Sequence, residues 1–266
     1  MVSDSYIAVI DGSTNKSHVC HHPQLTGGQY CMKLVSQYIE SMPPHLTAQQ
    51  FCRLITAYIR FIYEQHEAPI DLLTQIPTER MAASAVIYSR QRREVWFIGD
   101  CQCLIDGIHH EYPKPYEAAL ADIRSGYLRL QLMQDKATVA DLQRHDPGRN
   151  LILPMLIESC KWQNRSFAVI DGFTIPEEHI HVLPAAEASE IVLASDGYPF
   201  LHPTLARSEE ALSSQLAADP LCINTFRATK GRMQGYSSFD DRSYIRFRTG
   251  GALTPAPQGR ETTPED

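Results

Sequence analysis

Apolar positions along the chain recur in two rhythms. Residues 5–11, SYIAVID, form a β-rich run that ends in Asp-Gly. A long polar loop, 12–27, follows. A helical pattern then opens at Gly27-Gly28 and runs to about Met42, with Tyr30, Leu34, Tyr38 and Ile39 on one face; Pro43-Pro44 stops it. Thr47 with Gln50 three residues on resembles a capping box and predicts a second helix over 48–66. Phe51, Leu54, Ile55, Tyr58, Ile59, Ile62 and Tyr63 give it a core face. Short apolar runs at 85–88, 95–98 and 103–107 read as a meander of strands joined by tight turns. The stretch 115–163 changes to helical periodicity, at 116–132 and 151–162. Strands return at 167–171, 179–183 and 190–195. A helix over 204–217 and a last strand at 244–248 complete the pattern.

This order does not alternate strand and helix, so a doubly wound parallel sheet is not expected. No internal repeat is visible. The tail from Gly250 is rich in Gly, Pro and Thr and is expected to be disordered.

Composition narrows the class. The 266 residues are 43% hydrophobic, too apolar for a disordered chain. Lys and Arg number 24 against 31 Asp and Glu, a net charge of −7. That balance argues against a nucleic-acid binder, which needs a basic stripe, and mildly favours cations as partners. The first residues lack the basic region of a signal peptide. No apolar run approaches the roughly 18–20 residues that span a bilayer. Seven cysteines, an odd number with several inside apolar runs, read as reduced thiols in a cytoplasmic protein. Cys101 and Cys103 share a strand face, but a lone C-x-C pair is weak evidence for a metal.

The most informative pattern is acidic. Asp11, Asp100 and Asp196 close or follow apolar runs (AVID-G, WFIG-D, VLAS-D-G), and Asp240-Asp241 precedes the last strand. A strand ending in a carboxylate places it at the rim of a sheet, and several such strands gather carboxylates together. Crowded carboxylates raise one another's pKa unless a divalent cation lies between them. Hard oxygen donors select Mg²⁺ or Mn²⁺. A single Asp-Gly is commonly a plain turn, and Asp106-Gly107 and Asp171-Gly172 are read that way.

IAVIDG at 7–12, AASAVI at 82–87, VWFIGDCQCLIDG at 95–107, EIVLASDG at 190–197 and DDRSYIRF at 240–247 resemble, in order, the type 2C-like metal-dependent protein Ser/Thr phosphatase family. The resemblance covers residues 5–248. It implies an α+β, four-layer α-β-β-α sandwich of two mostly antiparallel sheets flanked by helices. Residues 1–248 would form that domain, with 114–163 a helical insert or flap and 249–266 a tail. It implies two Mn²⁺ or Mg²⁺ ions, with room for a third, and hydrolysis of phosphoserine or phosphothreonine on a protein by a metal-activated water. Asp11 would bridge the two ions and Gly12 offer its carbonyl. Asp196 and Asp240 would complete one shell, with Asp241 the alternative to Asp240. Asp100 would touch a third ion.

The chain departs from the family pattern. The family's upstream Arg and Glu-Asp pair are absent from the ten residues before Asp11, and Lys16 is the candidate phosphate ligand. Ser13 stands where many members carry His or Met. An inactive pseudophosphatase that binds a partner through 114–163 is therefore an alternative. A second is an actin-like nucleotide-binding kinase, suggested by Ser13-Thr14 after IDG. His18, Cys20, His21 and His22 share one loop. They lack the second separated pair of a zinc site, and a solvated loop is expected, although one His is a candidate general acid. No G-x-S-x-G elbow or C-x₅-R loop is present. Oligomeric state is not readable from these features.

Overall fold

The computed structural model describes residues 1–14 and 18–249. Its described strands form two antiparallel sheets of four. The first runs in the order β1 (Tyr6–Gly12), β2 (Ala83–Ser89), β3 (Glu94–Ile98), β6 (His181–Pro184). The second runs β5 (Ile108–Glu111), β4 (Gln102–Ile105), β7 (Glu190–Ala194), β8 (Tyr244–Arg248).

Side chains alternate across each strand, and that sorts the core. On β1, Tyr6, Ala8 and Ile10 face the helices, while Ile7 and Val9 face the second sheet. On β2, Ala85 and Ile87 face the helices, and Val86 and Tyr88 the second sheet. The second sheet answers with Cys103, Ile191 and Leu193. Both faces of the first sheet are thus buried, which is why its strands read as unbroken apolar runs.

Helices α1 (Gly27–Ser41) and α2 (Ala48–Gln65) cover the first sheet. Each starts with a reciprocal capping box, Thr26 with Gln29 and Thr47 with Gln50. Their buried stripes include Leu34, Val35 and Ile39, and Phe51, Ile55 and Ile59. Burying one such side chain contributes about 1.5–3 kcal/mol. A short α3 (Ile70–Gln75) follows.

Residues 114–163 hold α4 (Glu117–Met133), α5 (Val139–Arg144) and α6 (Pro147–Ser159), with one small core around Leu120, Ile152 and Leu156 and another where Leu128 and Leu142 meet Leu221 and Ile223. The outer side of the second sheet is covered differently from the first. Tyr244 hydroxyl reaches the His202 carbonyl there, and Ser208, in the first turn of α7 (Leu205–Ala218), accepts from His202 N–H.

The α+β class and the paired antiparallel sheets agree with the sequence. Three local expectations fail. The meander is split, because β4 leaves β3 at Gly99 and pairs with β5 and β7 in the other sheet. The run 103–107 ends as a strand at Ile105 and turns into β5 through Asp106 (φ 47) and Gly107 (φ 83), both left-handed, a twist that matches a two-residue hairpin. Residues 167–171 form only isolated bridges, Ala83 with Ile170 and Gln163 with Phe167. That run is apolar because Phe167, Ala168, Val169 and Ile170 are buried loop residues. The expected tail lies almost wholly outside the described residues.

Candidate active site at the carboxylate rim

Asp11 sits at the end of β1, opposite Ser84 of β2. The chain leaves β3 through Gly99, whose φ is +101 and whose added Cβ would lie 2.3 Å from Ser84 Oγ. Only glycine fits, and the turn aims Asp100 back so that Ser84 Oγ donates to it at 2.5 Å. Asp196 follows β7. Gly197 beside it presses on the Asp241 carbonyl, which an added Cβ would meet at 2.2 Å, so the 240–241 corner is held against 196–197. Gly28 in the first turn of α1 packs as closely on the Ser13 carbonyl, fixing the chain just beyond Asp11. Asp11, Gly12, Asp100, Asp196, Asp240 and Asp241 all line one cleft of about 1090 Å³. The sequence expected this convergence, and the structure brings the whole set together.

The carboxylates are not equivalent. The carboxyls of Asp11 and Asp196 lie close enough to shift each other's titration. Burial is the main reason that Asp11 is pushed up to about 6; the neighbouring Asp196 carboxyl opposes the rise, and the charges of Asp100 and Asp240 add to it. Asp196 rises well above the usual carboxylate range for the same causes, burial first, then Asp100 and Asp11. Its Oδ1 is buried without a hydrogen-bond partner. Asp100 is the opposite case. Burial alone would raise it, but an ion pair with Lys114 and the Ser84 bond outweigh burial and hold it low. Asp240 forms an ion pair with Lys230.

Among the described residues no group of three His, Cys, Asp or Glu side chains is arranged so that it could hold a metal ion. The donor chemistry nevertheless fits a hard divalent cation. The rim carboxylates are all oxygen donors, one buried Asp196 oxygen is orphaned, and burial raises both Asp11 and Asp196, which a cation would offset.

Other candidates fall elsewhere. Lys16 lies outside the described residues. The His loop is tied to Glu79: its carboxylate accepts from His18 N–H at 2.7 Å and Val19 N–H at 2.9 Å, and its carbonyl meets His21 Nε2 at 2.6 Å. His22 packs on Tyr30, 4.8 Å between centroids. None of these histidines lines the cleft. Asp171 is no plain turn residue. It is fully buried and accepts from Arg80 Nη1, Asn164 Nδ2 and Phe173 N–H, each at 2.9 Å. The seven cysteines are free thiols, six of them buried.

Sequence reasoning missed the basic partners. Lys114, Arg149 and Lys230 line the cleft from the insert and the 219–240 loop, far in sequence from the carboxylates. The flanking prolines of Pro113-Lys114-Pro115 were a usable signal for a lysine held in a fixed pose.

No protein-family model matches the chain, and no curated protein does. It is similar to solved structures. One is a bacterial serine phosphatase, 13% identical over 92% of this chain and 86% of that one, TM-score 0.41. Another is the serine/threonine phosphatase Stp1 from Staphylococcus aureus, 14% identical over 80% and 78%, TM-score 0.37. A third is the catalytic domain of the phosphatase PstP in complex with two manganese ions, 14% identical over 73% and 68%, TM-score 0.35. No helix among the described residues is long and apolar enough to cross a membrane.

Proposed function

We propose that this protein is a metal-dependent phosphomonoester hydrolase acting on phosphoserine or phosphothreonine of a protein substrate. The observation that carries the reading is the convergence of Asp11 and Asp196, from the ends of β1 and β7, in one cleft with Asp100 and Asp240, where a buried Asp196 oxygen has no hydrogen-bond partner. Asp11, Asp196, Asp240 and the Gly12 carbonyl would hold two Mn²⁺ or Mg²⁺ ions, with Asp241 alongside and Asp100 toward a third. When bound, the ions supply a water of lowered pKa and a clamp on the phosphoryl oxygens. The residues themselves orient the donors and exclude alternatives. Ser84 fixes the Asp100 rotamer, Gly197 fixes the 240–241 corner, and no nucleophilic side chain is needed. Six buried free thiols are compatible with a reducing, cytoplasmic setting. The test is Mn²⁺-dependent hydrolysis of para-nitrophenyl phosphate by the wild type and Asp196→Asn. Turnover in the wild type alone supports the reading, and equal inertness at millimolar Mn²⁺ rejects it.

Two observations favour a second reading, a binding module without catalysis. Lys114 and Lys230 each neutralise one rim carboxylate. The flap helix α6 exposes Leu151 and Met155 on one side and Leu153 and Ile157 on another. Mn²⁺-dependent turnover by the wild type would oppose it.

A further inference from the structure

A phosphate drawn to this rim meets more negative charge than positive, so it needs a cation that is not already spent. The cleft's basic side chains differ sharply in this respect. Lys114 is committed to Asp100, Lys230 to Asp240, and Arg242 to both oxygens of Glu209 at 2.8 and 2.7 Å. Arg149 has no carboxylate ion pair among the described residues. Its one side-chain hydrogen bond there runs from Nη1 to the Thr229 carbonyl at 3.1 Å. It is half-buried, and desolvation together with Arg124 lowers its pKa, against the attraction of Asp146, Asp240 and Glu117. A guanidinium kept partly dry, without a counter-ion and facing a cleft, is poised for an anion. Its planar fork suits phosphate oxygens.

The side chain is also well supported. Asp146 caps α6 by accepting from the Arg149 backbone N–H at 2.8 Å. The same carboxylate accepts from Arg124 Nε at 2.8 Å and forms an ion pair with its Nη2 at 2.7 Å. Arg124 is completely buried, and its Nη1 also donates to the Leu221 and Ala228 carbonyls at 3.0 and 2.9 Å. Arg124 therefore ties α4, α6 and the 219–231 loop into one unit that presents Arg149 to the rim.

We infer that Arg149, on the flap helix α6, is the residue that contacts the phosphoryl group of the substrate, with Arg124 positioning it through Asp146. The inference rests on the phosphatase reading and names the phosphate ligand of that same site. It replaces the expectation that this ligand lies near the start of the chain.

The test is calorimetric titration of inorganic phosphate into the Mn²⁺-loaded protein for the wild type, Arg149→Lys and Arg149→Gln, with Mn²⁺ affinity measured separately for each. Thermal melts show that the variants fold. Phosphate affinity is expected to fall at least tenfold in Arg149→Gln and by less in Arg149→Lys, with Mn²⁺ affinity unchanged. Wild-type phosphate affinity in Arg149→Gln would overturn the assignment while leaving the phosphatase reading intact. A wild type that binds Mn²⁺ but neither binds phosphate nor hydrolyses its esters would overturn both.

Discussion

Asp11 and Asp196 share a cleft with Asp100 and Asp240, yet the two pairs are held in opposite electrostatic states. The outer pair has its counter-ions built in, Lys114 and Lys230. Asp11 and Asp196 have no ion pair of their own among the described residues, and Asp196 Oδ1 has no hydrogen-bond partner there. Residue type and burial are similar, so the difference lies in what stands opposite each carboxylate. Crowding like charges at a sheet rim costs stability. The central two, left without a built-in cation, are where the proposed metal ions would sit.

The largest effect is expected from breaking the central pair. Asp196→Asn is predicted to lower Mn²⁺-dependent turnover of para-nitrophenyl phosphate by about 10³-fold or more, while raising the melting temperature of the metal-free protein by relieving the repulsion. If turnover falls and the metal-free melt falls too, the central pair is not the strained one.

Arg124 separates the rim from the apparatus that faces it. Removing its buried charge by Arg124→Met strands Asp146 and is expected to cost about 3–5 kcal/mol in urea unfolding. Faster amide exchange should be confined to α4, α6 and the 219–231 loop, whose small cores are separate from the sheet core. Gly99→Ala attacks the outer pair instead. A side chain at φ +101 with Cβ on Ser84 is expected to cost roughly 2–4 kcal/mol and to release Asp100.

The pH dependence has a definite sign. The folded value of Asp11, about 6, lies above its unfolded value of 3.8, so the folded chain keeps a proton that the unfolded chain has lost in between. Its contribution is full below about pH 4 and declines as pH rises through 6, by about 2–3 kcal/mol. The stability difference between wild type and Asp11→Asn, measured without metal from pH 4 to 7.5, should follow that course. Saturating Mn²⁺ should abolish it. The smallest effect belongs to His22→Ala, which packs on Tyr30 away from the cleft and should leave turnover within about twofold.

The carboxylates were legible because a strand end is a position that sequence encodes locally. An apolar alternating run followed by Asp says both that a strand is there and that its carboxylate is at the rim. Their cations were not legible. Lys114 sits in a Pro-bounded loop, Arg149 in the first turn of a helix, and Lys230 in an irregular stretch, and no periodicity links them to the residues they face. The same limit explains Asp171. As Asp-Gly it reads as a turn, and only the arrival of Arg80, ninety-one residues away, makes it a buried staple. It also explains β4, whose short run after β3 looks like a meander until Gly99 sends it to the other sheet.

Direct titration of Mn²⁺ into metal-free protein, followed by calorimetry at about pH 5.5 and 7.5 and repeated for Asp11→Asn and Asp196→Asn, tests the central claim most simply. The account predicts Mn²⁺ binding by the wild type with proton release below about pH 6, and loss of at least one ion in each variant. Equal Mn²⁺ binding by all three proteins, or none by the wild type, would contradict it.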